Sequence, residues 1–140
     1  MSYQFSNDQA AANAPSSFGL SPTAAALVSY LFIPWTSIAV LVTEKQNRFV
    51  RFHAFQSLLL GLGMVALTIL LSIVIGIVTL IAGAVSPYAG IIVSVLSLIL
   101  WIFIALAILA LWALCLYKAY RGETYKVPFV GKTAEKMANK

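Results

Sequence analysis

Hydrophobic and polar positions are sorted into blocks along this chain rather than interleaved. Residues 1–23 are small and polar, mostly Ser, Asn, Gln and Ala with Pro15, Gly19 and Pro22, and show no periodic apolar face. Such a stretch buries too little surface to offset its ordering entropy, so it reads as a flexible tail. Three apolar blocks follow, Ala24 to Val42, Ala54 to Ile81 and Tyr88 to Tyr117, with Gly83, Ser86 and Pro87 marking a turn between the last two. Each holds about the 20 residues that carry an α-helix across a bilayer, and proline disfavours helix in the residue before it. The pattern predicts an all-α membrane protein with three transmembrane helices in a domain of residues 24–117, a cytoplasmic interfacial helix, and a basic C-terminal tail, 118–140. The second and third blocks approach about 30 residues, or about 45 Å of helix, so they would tilt in a hydrocarbon core of about 30 Å.

A few positions break the apolar pattern. Pro34, in Phe32-Ile33-Pro34-Trp35, removes a backbone donor and predicts a kink in the first span, with the Ser29, Thr36 and Ser37 hydroxyls available to the carbonyl it frees. Drawn as a helix, the segment after it puts Glu44, Asn47, Arg48 and Arg51 on one face, and Phe49, Phe52, His53 and Gln56 on the other. Glu44 and Arg48 have the favourable i,i+4 order for an ion pair. Thr68, Ser72 and Gly76 recur every four residues, and Gly90 and Ser94 repeat the spacing. Rows of small residues let membrane helices approach closely. Tyr88, Trp112, Tyr117 and Tyr120 fall where aromatic belts meet headgroups, while Trp101 falls mid-span.

Composition sharpens the class. Of 140 residues, 61% are hydrophobic and 9% charged, with a mean hydropathy of +0.95; a typical soluble domain carries roughly 25% charged residues. No Asp, Glu, Lys or Arg occurs from Phe52 to Tyr117. A net charge of +5 could suggest nucleic acid in a soluble protein. Here all nine basic residues flank the spans: Lys45, Arg48 and Arg51, then Lys118, Arg121, Lys126, Lys132, Lys136 and Lys140. Membrane lipids with anionic headgroups are the partners this placement fits, and no nucleic acid is expected. Three crossings put both basic segments on one face. The positive-inside rule then gives a multi-pass protein of the cell (cytoplasmic or inner) membrane, N-terminus outside and C-terminus cytoplasmic. The first block lacks the basic leader of a secretory signal and reads as a retained span.

Chemistry has little to draw on. His53, Cys115 and four carboxylates, Asp8, Glu44, Glu123 and Glu135, are the candidates for acid–base or metal work. Every carboxylate lies outside the apolar blocks, no two have a dyad's spacing, and no glycine loop resembles a phosphate cradle. One His without a second ligand nearby is not a metal site, and a single Cys supports no disulfide framework. The chain is expected to be no enzyme and to hold no cofactor or metal. Ion-coupled transporters keep charged groups inside their spans despite a cost of about 2.5–3.5 kcal/mol each, and these spans have none. His53 and Gln56, one turn apart at the bilayer boundary, are expected to hydrogen-bond the bent first span or each other. Contact with a partner or a lipid headgroup is the alternative.

The run NRFVRFHAFQSLL, Asn47 to Leu59, after a Pro-containing apolar span, resembles a widespread family of small bacterial and archaeal membrane proteins of unknown function. That family is similar to the channel-like subunit of the chloroplast inner-envelope protein translocon (Tic-twenty-like), which has four spans where three are read here. The ending AYRGETYKVPFVGKTAEK, Ala119 to Lys136, resembles the family's as well, with its Gly after the last span and the Pro128-x-x-Gly131 turn. The likeness covers Ser29 to Lys136. Together the readings lead us to expect an integral membrane accessory or scaffold protein, acting as a homo-oligomer or as a subunit of a larger complex. The resemblance implies the alternative, a homo-oligomeric channel or protein-translocation component. The positions expected to form structural or interaction surfaces are Pro34, Arg48, Phe49, Arg51, Phe52, His53, Gln56, Thr68, Ser72, Gly76, Gly90 and Ser94.

Overall fold

The computed structural model describes residues 10–17 and 19–140. Among these, every regular element is helical: α1 (Pro22–Val28), α2 (Trp35–Thr43), α3 (Arg48–Val85), α4 (Pro87–Tyr120) and α5 (Gly131–Ala138), with residues 10–13 helical as well. The chain divides into two compact units, Gly63–Leu111 and the remainder on either side of it. Among the described residues, only α3 and α4 are long and apolar enough to cross a membrane.

The Gly63–Leu111 unit consists of the distal parts of α3 and α4. The helix expected to end near Ile81 continues to Val85, and Ser86 alone separates it from α4. Pro87 opens α4, where its missing N–H leaves no bond unmade. Half-buried residues follow one stripe per helix: Met64, Thr68, Leu71, Ile75 and Thr79 on α3, and Gly90, Val93, Ser97, Trp101, Ile104 and Ile108 on α4. Apart from the half-buried Ala82, Ala89 and Leu111, the other side chains of these segments are exposed and largely apolar, as hydrocarbon solvent requires. At the turn the backbones come close, for a Cβ on Gly90 would meet the Gly83 Cα at 3.0 Å.

This corrects the expected small-residue rows. Thr68 and Gly90 lie on the stripe, but Ser72, Gly76 and Ser94 are exposed, and a Cβ on Gly76 would touch nothing within 4 Å. Two long helices stay in contact along positions averaging 3.5 residues apart. A row repeated strictly every four residues winds off that seam.

In the other unit, the expected first span proves not to be a single kinked helix. Residues 24–42 are divided between α1 and α2 by a non-helical elbow, which holds the cis Ile33–Pro34 bond. The Ser21 hydroxyl accepts from Ala24 N at 3.3 Å and Pro22 takes the first helical turn, so α1 starts before the apolar block. Helices of seven and nine residues are about 10 and 13 Å long, against a hydrocarbon core of about 30 Å. The elbow exposes Leu31, Phe32 and Trp35.

Contacts along α3 show where this helical pair lies. Ile33 packs so tightly on Gly61 that no Cβ fits there, and Ser37 Oγ is 2.7 Å from Ser57 Oγ. Tyr30 Oη is 3.1 Å from His53 Nδ1, and Asn47 Nδ2 donates to the Ala11 and Ala14 carbonyls, each at 2.9 Å. Asn47 and Gly61 are about 21 Å apart along the helix at 1.5 Å per residue. Residues 10–17 therefore begin at the N-terminal end of α3, the chain rises to the elbow beside Gly61, and α2 brings it back to Glu44. No bilayer fits between groups 2.9 Å apart. Residues 10–17 and the Glu44–Arg51 segment, expected on opposite sides of a crossing, are thus hydrogen-bonded to each other. Residues 10–17 of the expected flexible tail are hydrogen-bonded; residues 1–9 and 18 lie outside the described residues.

At its far end α4 closes on Gly122, at φ +71, with Glu123 N bonded to Lys118 O at 3.0 Å and Gly122 N to Ala119 O at 3.1 Å. This is the cap geometry that favours glycine. The expected basic tail folds back as α5, which lays Ala134 and Ala138 against Phe52, with Phe55 and Leu59 alongside.

Candidate functional site

The site is built from the start of α3. Asn47 caps that helix, its Oδ1 accepting from Phe49 N at 3.0 Å and Val50 N at 3.2 Å. Glu44 is fully buried beside it. Its carboxylate accepts from Asn47 N (2.9 Å), Gln46 N (3.0 Å), Ser17 N (2.8 Å) and Ser17 Oγ (3.0 Å). Burial pushes this carboxyl up; the amides of Asn47, Gln46 and Ser17, with the Ser16 side chain, outweigh that and hold it below its ordinary 4.5. The expected Glu44–Arg48 ion pair is therefore corrected. Backbone donors occupy the carboxylate, while Arg48 is exposed with no carboxylate partner among the described residues. Arg51 sits half-buried over the Phe55 ring, 5.9 Å from its centroid.

With the helix start set by Asn47, Phe49, Phe52, His53 and Gln56 turn inward together and are buried. The His53 ring meets Phe49 and Phe52 edge-on, at 4.6 and 5.2 Å between centroids. Gln56 Nε2 donates to Tyr30 Oη at 3.2 Å, and Gln56 Oε1 accepts from Val127 N at 3.2 Å. The Tyr30 oxygen accepts from Gln56, and its own proton finds its acceptor in His53 Nδ1, which assigns the proton of the neutral imidazole to Nε2. That Nε2 is buried without a hydrogen-bond partner among the described residues. The Cys115 thiol is buried in the same cluster, 4.0 Å from Gln56 Nε2.

The elbow is held by backbone acceptors as well. Tyr30 O, the carbonyl that an unbroken helix would have bonded to residue 34, accepts from Trp112 Nε1 at 2.8 Å. Ser29 O accepts from Ser37 Oγ at 3.0 Å and Thr36 Oγ1 at 3.3 Å. The hydroxyls singled out from the sequence are thus engaged, one residue from the carbonyl proline frees. Trp112, expected in an interfacial belt, is half-buried and bonded inside the unit.

The arrangement is a polar clamp joining the elbow, the first turns of α3, the end of α4 and the strap before α5. Apart from His53 Nε2, its polar atoms are engaged with one another, and it gathers no three His, Cys, Asp or Glu side chains among the described residues that could hold a metal ion. Of the expected positions, it unites Phe49, Phe52, His53 and Gln56, and Pro34 lies near Gly61 at the elbow. Arg48, Arg51, Thr68, Ser72, Gly76, Gly90 and Ser94 lie elsewhere. Tyr30, Gly61 and Val127 went unread, and Trp112 was read as part of an interfacial belt. Of the first three, Tyr30 and Gly61 left a trace in sequence, as a polar-tipped aromatic and a glycine within apolar blocks.

All of these residues fall within 18–134, which match the magnetosome magnetite crystal formation protein family, MamF/MmsF. The chain belongs to this family. A UPF0132 membrane protein of Methanocaldococcus jannaschii is 33% identical over 122 residues, covering 87% of this chain and 93% of the relative. One from Archaeoglobus fulgidus is 35% identical over 114 residues, covering 81% and 91%. A second from M. jannaschii is 30% identical over 118 residues, covering 84% and 71%. No solved structure matches. Relatives described as membrane proteins, together with two long apolar helices, make this MamF/MmsF chain a membrane protein. The similarities identify a family of small membrane proteins, as the sequence led us to expect, and lend nothing to the plastid likeness.

Proposed function

We propose that this MamF/MmsF chain is a non-catalytic accessory or scaffold protein of the cell membrane, a two-span hairpin whose N-terminal helical pair re-enters the bilayer without crossing it. The observation that carries the reading is the clamp. Its hydrogen bonds run inward and join four segments, which suits a group that holds a shape and not one that turns over a substrate. The Asn47 bonds to Ala11 and Ala14 support N- and C-terminal segments on one face, and the positive-inside rule makes that face cytoplasmic. The exposed Leu31, Phe32 and Trp35 of the elbow suit insertion among lipid tails. The family's description concerns magnetite crystal formation. The membrane setting comes from the relatives, described as membrane proteins.

A second reading is favoured by one observation. Ser72 and Gly76 are exposed, and the space around Gly76 is open, so this row is available to another copy in a homo-oligomeric channel or translocation component. Purification in mild detergent, with identification of what co-purifies, separates the two when joined to planar-bilayer recording. The accessory reading expects a stable hetero-complex and no conductance. A homogeneous oligomer that conducts would overturn it in favour of the channel.

A further inference from the structure

Helix α5 and the turn before it carry features that the clamp does not use. Its inner face, Gly131, Ala134 and Ala138, is buried, with Ala134 and Ala138 on Phe52. Its outer face presents Lys132 and Lys136, and Lys140 follows just past the helix end at the same spacing of four, all exposed and with no carboxylate partner among the described residues. The nearby carboxylates are engaged. Glu135 pairs with Lys126 at 2.9 Å, and Glu123 pairs with Lys118 at 2.6 Å and Arg121 at 3.7 Å. Just before the helix, Phe129 is 96% exposed and has φ +68. A left-handed backbone is costly for a residue with a bulky side chain, and a wholly exposed phenyl ring gains nothing in water.

We propose that the outer face of α5, with Phe129 as an apolar wedge, is a docking surface for anionic lipid headgroups of the bilayer in which the protein sits. The inference rests on the membrane-hairpin reading above. Depth supports a bilayer over an acidic protein: α5 packs at Phe52, Phe55 and Leu59, immediately before α3 exposes apolar side chains from Leu62 onward. Helix α5 therefore lies where the headgroups are, at the level of α3 just before its exposed apolar side chains begin. There Phe129 can enter the apolar boundary while the lysines meet phosphate. Each lysine near an anionic surface strengthens the attraction roughly fivefold at low salt, and the effect falls off within a Debye length.

The test uses the full chain in nanodiscs of phosphatidylcholine with increasing phosphatidylglycerol. A cysteine introduced by Phe129→Cys, in a Cys115→Ser background, carries an environment-sensitive dye. Its emission should shift to the blue as phosphatidylglycerol increases, and high salt or a Lys132→Gln, Lys136→Gln, Lys140→Gln variant should reverse the shift. Native mass spectrometry of the chain with its cysteine intact should show retained phosphatidylglycerol, with roughly fivefold weaker retention for each lysine replaced. A dye that stays aqueous at every composition overturns the proposal, as does a shift indifferent to phosphatidylglycerol or to the lysines. A shift that appears only when an acidic protein is added overturns it in favour of a protein partner. In each of these cases, cysteines at positions 13 and 139 that both still react from the cytoplasmic side alone show that the hairpin reading has survived.

Discussion

The Tyr30 hydroxyl serves two buried partners at once, so its removal should reach further than the loss of one bond. Tyr30→Phe leaves Gln56 Nε2 and His53 Nδ1 without that partner, and a stranded buried polar group costs about 1–3 kcal/mol. We expect a clear fall in melting temperature in detergent. Gln56→Ala should do the same by stranding Val127 N, and His53→Ala with Gln56→Ala should cost less than the sum of the two, since partners in one network are not additive. Glu44 gives a pH dependence. Its folded pKa is depressed, so its contribution is complete above the ordinary value of 4.5 and is lost as pH falls through the lower folded value. Hydrogen exchange at the Ser17 and Asn47 amides should accelerate across that acid window, and Glu44→Gln should remove the pH step. The inward face of Phe49, Phe52, His53 and Gln56 was readable because helical periodicity is local. Their partners were not, because nothing in a periodic pattern says that Tyr30 or Val127 will fold onto them.

At the scale of elements, the second and third apolar blocks were legible almost to their ends, since a long charge-free run has few alternatives to a membrane helix. The first block misled. Its composition matches a span, and Pro34 announces a disturbance without saying whether the helix bends or breaks. What decides is tertiary: Ile33 against Gly61, Ser37 on Ser57, and Trp112 on the Tyr30 carbonyl. Two glycines of α3 therefore separate the expected from the observed packing. Gly61→Leu should displace the elbow and destabilise by about 1–3 kcal/mol or more, the usual cost of overpacking. Gly76→Leu should leave the melting temperature of the monomer unchanged, because open space surrounds it. Paired melts in detergent check both, and a Gly76→Leu variant that loses oligomer size would point to that row as a contact between copies.

For the whole molecule, the count of crossings decides what each face can meet. Positive charge alone could not give it, because Lys45–Arg51 and Lys118–Lys140 share a face whether the first block crosses or re-enters. The difference falls on the N-terminal segment, which the described structure ties to Asn47 and Glu44 at the foot of α3. Cysteine accessibility in intact cells tests this most directly, with single cysteines at Asn13, Ala84 and Asn139 in a Cys115→Ser background. The account predicts labelling from outside at position 84 alone, with positions 13 and 139 reached only after the membrane is opened. Labelling of position 13 from outside, with position 139 still protected, would mean that the first block crosses the membrane, and would contradict the re-entrant hairpin.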